Sequence, residues 1–105
     1  MRRAAKVDDN QGDIVALFRR LGWSVLLIHQ IKNACDIIVA IDGITVAVEI
    51  KDGKKQPSQR KLTQGERKFK DGWNGHWYLI ETEDDVINLH MHVMNTGRPP
   101  MQAIP

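Results

Sequence analysis

The spacing of apolar residues changes along the chain, and each change marks an element. From Gln11 to Leu21 the apolar positions Ile14, Val15, Leu17, Phe18 and Leu21 recur at helical spacing, with Arg19 and Arg20 on the opposite face. Asp9 or Asn10 can cap the start of this helix, and Gly22 fits its end. Trp23 to His29 reads as a strand and Gln30 to Ala34 as a polar loop. Asp36–Ile41 and Ile44–Ile50 are two β-rich runs separated by Asp42-Gly43, a strong hairpin signal. A polar, basic loop with Pro57 and Ser58 follows. Thr63 then opens a second helix, with Glu66 at capping-box spacing, and Trp73 to Gly75 ends it. His76 to Ile80 is a fourth strand, and Thr82 with Asp85 can cap a short last helix reaching about His90. The order α-β-β-β-α-β-α predicts an α/β fold, a mixed β-sheet flanked by helices. Residues 1–94 are expected to form a single domain that begins with a loose basic arm over residues 1–8. Residues 95–105, with Gly97, Pro99 and Pro100, are expected to form a flexible tail.

The hairpin has a consequence for two acidic residues. If Asp42-Gly43 is a two-residue turn, Ile41 faces Ile44 and Asp36 falls opposite Glu49. Opposed residues place their Cβ atoms about 4.5–5.5 Å apart on one face of the sheet. Lys51, two residues beyond Glu49, shares that face. Like charges set opposite each other are destabilising without compensation, and the apolar strands around them raise the cost by burying them. A divalent cation is the simplest compensation. Mg²⁺ takes carboxylate oxygens, often only two, and leaves positions for water and phosphate. Such an ion activates water and stabilises charge at phosphorus, and a lysine alongside could orient the attacking water or help to deprotonate it. The plainer alternative makes Asp36 a strand-edge residue and Glu49 and Lys51 a surface stripe, and a bulge near Gly43 would shift the register. The opposed aspartate, the apolar strands and the basic segment that follows all weigh toward the cation site.

Charge adds to this picture. The whole chain carries a formal net charge of +2, but residues 51–70 hold eight basic residues against Asp52 and Glu66, a local net of +6. Glu81, Glu83, Asp84 and Asp85 form an acidic cluster further on. The basic segment suits a polyanion, and equally suits a solvated loop and helix. At 105 residues there is room for one small domain. The basic start lacks the apolar stretch of a signal peptide, no apolar run reaches bilayer-spanning length, and no membrane partner is expected. Cys35 is the single cysteine, so no internal disulfide is possible and a reducing cytoplasm is the expected setting.

Taken together, Asp36, the Glu49-Ile50-Lys51 tripeptide and their spacing resemble the PD-(D/E)XK nuclease signature. Asp9-Asn10-Gln11 with the following helix, Asp36 to Ile38, Val48 to Gly53 (VEIKDG) and Pro57 to Thr63 (PSQRKLT) are more specifically similar to the VRR-NUC branch, in its small stand-alone viral and bacterial form. The similar stretches lie within residues 9–81. The resemblance implies a restriction-endonuclease-like core and Mg²⁺- or Mn²⁺-dependent hydrolysis of DNA phosphodiesters. Branched DNA such as a four-way (Holliday) junction is the implied substrate, and a bacterial or phage-infected cell the setting. It further implies a homodimer, whose two-fold axis would match a junction's symmetry. A flap or restriction-like nuclease on duplex DNA, or a non-catalytic DNA-binding module of the same fold, are the alternatives.

By the same resemblance Asp36, Glu49 and the backbone carbonyl of Ile50 are metal ligands, and Lys51 assists the water nucleophile. Gln11 stands where related archaeal junction resolvases carry a glutamate that serves the metal, with Asp9 and Asp13 as nearby alternatives. Lys54, Lys55, Gln59, Arg60, Lys61 and Arg67 are candidate DNA contacts, and Glu66 or Gln64 can support Lys51. Cys35 departs from the pattern by standing where the family usually has proline. It reads as a small buried residue, since no motif places a histidine beside it as a thiol nucleophile would need. Two further features are weighed. His90-x-His92 could bind metal from a strand but has no third ligand at a recognisable spacing. Of the three tryptophans, Trp77 reads as core and Trp73 is the best candidate to stack on a base.

Overall fold

The computed structural model describes residues 8–100. Most of the expected basic arm, residues 1–7, and the last part of the expected tail, residues 101–105, lie outside the described residues. The elements are α1 (Gln11–Arg20), β1 (Ser24–Leu27), β2 (Ile37–Ile41), β3 (Ile44–Ile50), α2 (Gln64–Gly72), β4 (His76–Ile80) and α3 (Glu83–Thr96), with a 3-10 turn at Pro57–Gln59 before α2. This is the order expected from the sequence. The strands form one mixed sheet in the order β1-β2-β3-β4. The first two pairings are antiparallel, while β4 lies parallel to β3 because α2 carries the chain back across the sheet.

Alternation along the strands divides the interior into two layers. Ile37, Val39, Val46, Val48 and Ile50 face α1 and α3, where Phe18, Val86 and Val93 complete the main core. The opposite face is smaller: Cys35, Ala47 and Trp77 lie beneath Leu62 and Phe69. No residue of α2 is fully buried, so this helix is a light cover on the face that carries Glu49 and Lys51. Trp77 is core, as expected, and so is Trp23, set edge-on to Phe18 at 5.3 Å.

The central hairpin forms in the expected register, from Ile41 opposite Ile44 to Ile37 opposite Val48. Asp42 (φ 51°) and Gly43 (φ 80°) both adopt the left-handed conformation of a type I′ turn, whose twist matches that of the strands it joins. Four local expectations are corrected. β2 starts at Ile37, so Asp36 sits one residue before the strand, although its N–H still donates to the Val48 carbonyl (3.1 Å). β1 is shorter than the apolar run that suggested it. The last helix continues beyond His90 to Thr96, because Val93 extends its buried face and nothing breaks it before Gly97 (φ 72°), whose N–H caps Val93. His90 and His92 therefore lie on a helix, and His90 Nδ1 accepts a hydrogen bond from Trp23 Nε1 (3.0 Å).

The start of α1 also differs. Asn10 occupies the N-cap position but makes no side-chain cap. Its amide instead donates to the carbonyls of Lys51 and Glu81, each at 3.1 Å, and so ties the helix to the ends of β3 and β4. Close by, the Gly53 N–H donates to the same Glu81 carbonyl (3.1 Å), and a Cβ at Gly53 would lie 2.9 Å from that oxygen. The Asp-Gly after Lys51 thus lets the chain leave β3 against β4. Replacing Asn10 with alanine removes both side-chain bonds from partly buried carbonyls. The expected cost is about 1–3 kcal/mol in urea unfolding, and a change within about 0.5 kcal/mol, the usual range for a surface substitution, would show that the bridge is not structural.

Candidate active site

β3 brings Glu49 and Lys51 to the α2 face, and the hairpin brings Asp36 to the same place. Asp36 is locked there by its Oδ2, which accepts from the Ile50 N–H at 2.7 Å. In an extended strand the N–H and C=O of one residue point to the same side, so the Ile50 carbonyl is directed toward the Asp36 side of β3. Glu49 is 3% exposed. Burial, and then the nearby Asp36 carboxylate, push its pKa far above the usual carboxylate range, to about 10. The two acids that the hairpin was expected to oppose are therefore close enough to interact.

Lys51 does not neutralise this pair. Its Nζ lies 2.7 Å from Glu66 Oε1 on α2. Burial by itself would lower the Lys51 pKa, but the hydrogen bond and charge of Glu66, with Glu49 and Asp8 adding to them, outweigh burial and leave it raised. Burial would likewise raise Glu66, yet the bonds from Lys51 and from the Thr63 N–H hold its pKa below the ordinary value. Glu66 thus has two tasks: it closes the capping box of α2 with Thr63, and it holds Lys51 as an ammonium. Gln64, the other candidate for the second task, is exposed.

Asp36 and Glu49 open into a cavity of about 370 Å³, bordered by the loop from His29 to Ala34 and by Thr63, Gly65 and Glu66 at the start of α2. Gly65 passes close to this loop: a Cβ there would meet Asn33 Oδ1 at 2.6 Å. Gln11 is buried, whereas Asp9 and Asp13 are both exposed, so the inward-facing polar residue at the start of α1 is the glutamine. Gln11 Nε2 lies 3.4 Å from His29 Nδ1, and Gln11 Oε1 is buried without a hydrogen-bond partner. Asn10 Oδ1 is likewise buried and unpartnered.

The oxygens facing the cavity are the carboxyl groups of Asp36 and Glu49; the Ile50 carbonyl is directed to the Asp36 side of β3, and Gln11, with its orphaned amide oxygen, lies behind His29 of the cavity wall. Among the described residues no cluster of three or more His, Cys, Asp or Glu side chains is arranged to hold a metal. A Mg²⁺-type site needs only one or two carboxylates, and two adjacent acids without a paired cation, one of them holding its proton, suit such an ion.

The remaining candidates are spread around this centre. Lys54, Gln59, Lys61 and Arg67 are exposed. Arg60 is held by Glu81 (2.7 Å) and by the Lys55 carbonyl, and Lys55 pairs with Asp8 at 3.5 Å, so both help to fix the loop. Trp73 is exposed, but it stacks on Phe69 at 5.2 Å and donates to the His76 carbonyl. Cys35 is fully buried, its thiol donates to the Ile37 carbonyl, and burial raises its pKa to about 11, which suits a packing residue and not a nucleophile. Sequence reasoning passed over Asn10 as a strand tie and His29 as a cavity residue. Asn10 has an ordinary cap signature, and His29 sits in a polar loop with no motif around it.

Comparison with models of known protein families, with curated proteins and with solved structures finds no match. Among the described residues no helix is long and apolar enough to cross a membrane.

The buried acid makes stability depend on pH. The folded chain keeps the Glu49 proton up to about pH 10, whereas the unfolded chain loses it near 4.5. The native state therefore holds the extra proton between these values, and unfolding free energy falls as pH rises through that window. Glu49→Gln keeps the shape without the titration. Its thermal melting in EDTA should exceed the wild type by a margin that grows from pH 5 to pH 9. A margin that does not change with pH would contradict the assigned cause.

Proposed function

We propose that this chain is a metal-dependent DNA endonuclease of the PD-(D/E)XK kind, similar to the VRR-NUC branch, that hydrolyses phosphodiester bonds in branched DNA. The observation that carries the reading is the juxtaposition of Asp36 and Glu49 on one face, with Lys51 following on that face and a polar cavity in front. A core of the restriction-endonuclease type is consistent with the four-stranded mixed sheet and the crossover that follows the catalytic strand.

Asp36, Glu49 and the Ile50 carbonyl would hold Mg²⁺ or Mn²⁺, with Gln11 Oε1 as a further oxygen. When bound, the ion supplies charge stabilisation at phosphorus and makes water a usable nucleophile. The chain's own groups prepare for this. The Ile50 N–H fixes one Asp36 oxygen and leaves the other for the ion. Glu49 must give up its proton on binding, so affinity should rise with pH. Lys51, kept as an ammonium by Glu66, cannot take a proton from water at neutral pH. Its role is to orient the attacking water and offset the negative charge that builds up on the phosphate.

The exposed Lys54, Lys61 and Arg67, with Gln59 beside them, are placed on the segment following β3 and would contact phosphates. A chain of this size offers little surface to a four-way junction, and a homodimer would present two active sites related by a two-fold axis.

Four-way junction, flap and linear duplex substrates should separate the substrate classes. The junction should be cut best, and only with Mg²⁺ or Mn²⁺. Asp36→Asn should lower cutting by about 100-fold or more, since several kcal/mol of charge stabilisation depend on the ion, yet still bind the junction. Unchanged cutting by this variant excludes the site, and equal cutting of linear duplex excludes the preference for branches. Junction affinity should also fall steeply with salt. Removing Lys54, Lys61 or Arg67 should each reduce the log–log slope by about 0.9, the value for one phosphate contact on duplex DNA. A slope that the three substitutions leave unaltered places the DNA elsewhere.

A further inference from the structure

At the start of α1, nothing in the metal site itself decides which end of the Gln11 amide would face the ion. Gln11 is only 6% exposed, and its Oε1 has no partner. A buried amide oxygen left unpaired costs about 1–3 kcal/mol, so such an atom calls for an explanation. A carboxamide also has two ends of nearly the same shape and opposite character. The oxygen attracts a hard cation, while the NH₂ group presents hydrogens to it. Unlike a glutamate, a glutamine is useful beside a cation only if something selects which end faces it.

His29 is placed to make that selection. It lies on the loop after β1 and borders the same cavity as Asp36 and Glu49, and its Nδ1 is 3.4 Å from Gln11 Nε2. With the amide N–H donating to it, Nδ1 is the unprotonated acceptor and the ring hydrogen sits on Nε2. The amide nitrogen is thereby occupied, and the end left over is the oxygen.

We propose that His29 is a positioning residue that orients the Gln11 carboxamide, turning its oxygen toward a divalent cation held by Asp36 and Glu49. The proposal rests on the metal site described above. His29 would act through Gln11 and not as a ligand of its own. It does for an uncharged glutamine what a carboxylate's symmetry makes unnecessary, and it accounts for a buried oxygen that the fold leaves unsatisfied. Groups that orient ligands in this way typically carry about 10–100-fold in metal affinity.

The test is Mn²⁺ binding to the full chain by isothermal titration calorimetry, with thermal melting to check that each variant folds. His29→Leu should weaken Mn²⁺ binding by about 10-fold or more. His29→Asn, whose Oδ1 can take the place of the Nδ1 acceptor, should restore most of the loss. In a Gln11→Ala background, His29→Leu should have no further effect, because the group it orients is gone. Wild-type affinity in His29→Leu overturns the proposal. So does a His29→Asn protein as weak as His29→Leu, or a His29→Leu loss that persists without Gln11. Failure of the metal site itself looks different: wild type and Asp36→Asn would then bind Mn²⁺ equally poorly, and the orienting role would fall with it.

Discussion

Two carboxyl groups are held against each other where the sheet gives them no counter-charge. A type I′ turn at Asp42-Gly43 sets the register of β2 and β3 as far as Ile37 opposite Val48, and Asp36, one residue beyond, is brought beside Glu49 by its bonds to the Val48 carbonyl and the Ile50 N–H. One of the two acids is almost wholly buried, and the available lysine is turned to a third acid, Glu66 on α2. An apolar core alone would not keep such an arrangement, because replacing either acid by a neutral residue of similar shape would relieve it. Local conflict with the rules that stabilise the rest of a fold is characteristic of functional sites.

The surrounding structure keeps this conflict from relaxing. The Ile50 N–H grips Asp36, while Asn10 and Gly53 bind the chain ends of β3 and β4 together just beyond Lys51. α2 is lightly packed, anchored by Phe69 and by Leu62 just before its N-cap, but its capping glutamate is also the partner of Lys51. Helix formation and lysine placement are thus one event: fraying of the first turn of α2 would free the ammonium to swing onto the acids. The fold keeps Lys51 charged by pairing it with Glu66 and not with Asp36 or Glu49.

Much of this arrangement was legible in the sequence, because it follows from short-range rules. The hairpin signal fixed the register from Ile41 to Ile37, and the Thr63–Glu66 and Thr82–Asp85 spacings marked two helix starts that both form capping boxes. The pointing of Glu49 and Lys51 to one face needed only strand alternation. Long-range polar contacts were less legible. Asn10 looked like a cap and proved to be a bridge to residues 51 and 81, a choice visible only once three elements are assembled. His29 carries no local signature, and its place beside Gln11 depends on how the loop after β1 folds back. The ion pairs of Arg60 and Lys55, two of the candidate DNA contacts, with Glu81 and Asp8 had no signature in the sequence because they join segments far apart in the chain. The end of α3 was misplaced because the polar His-Met-His stretch hid the buried Val93.

The proposed function requires that the paired acids form a cradle for a divalent cation. Anomalous scattering from crystals grown with Mn²⁺ tests it most directly. One strong peak should lie between the Asp36 and Glu49 carboxylates, within bonding distance of both. Well-ordered carboxylates with no peak between them, or Mn²⁺ bound only elsewhere on the chain, would contradict it.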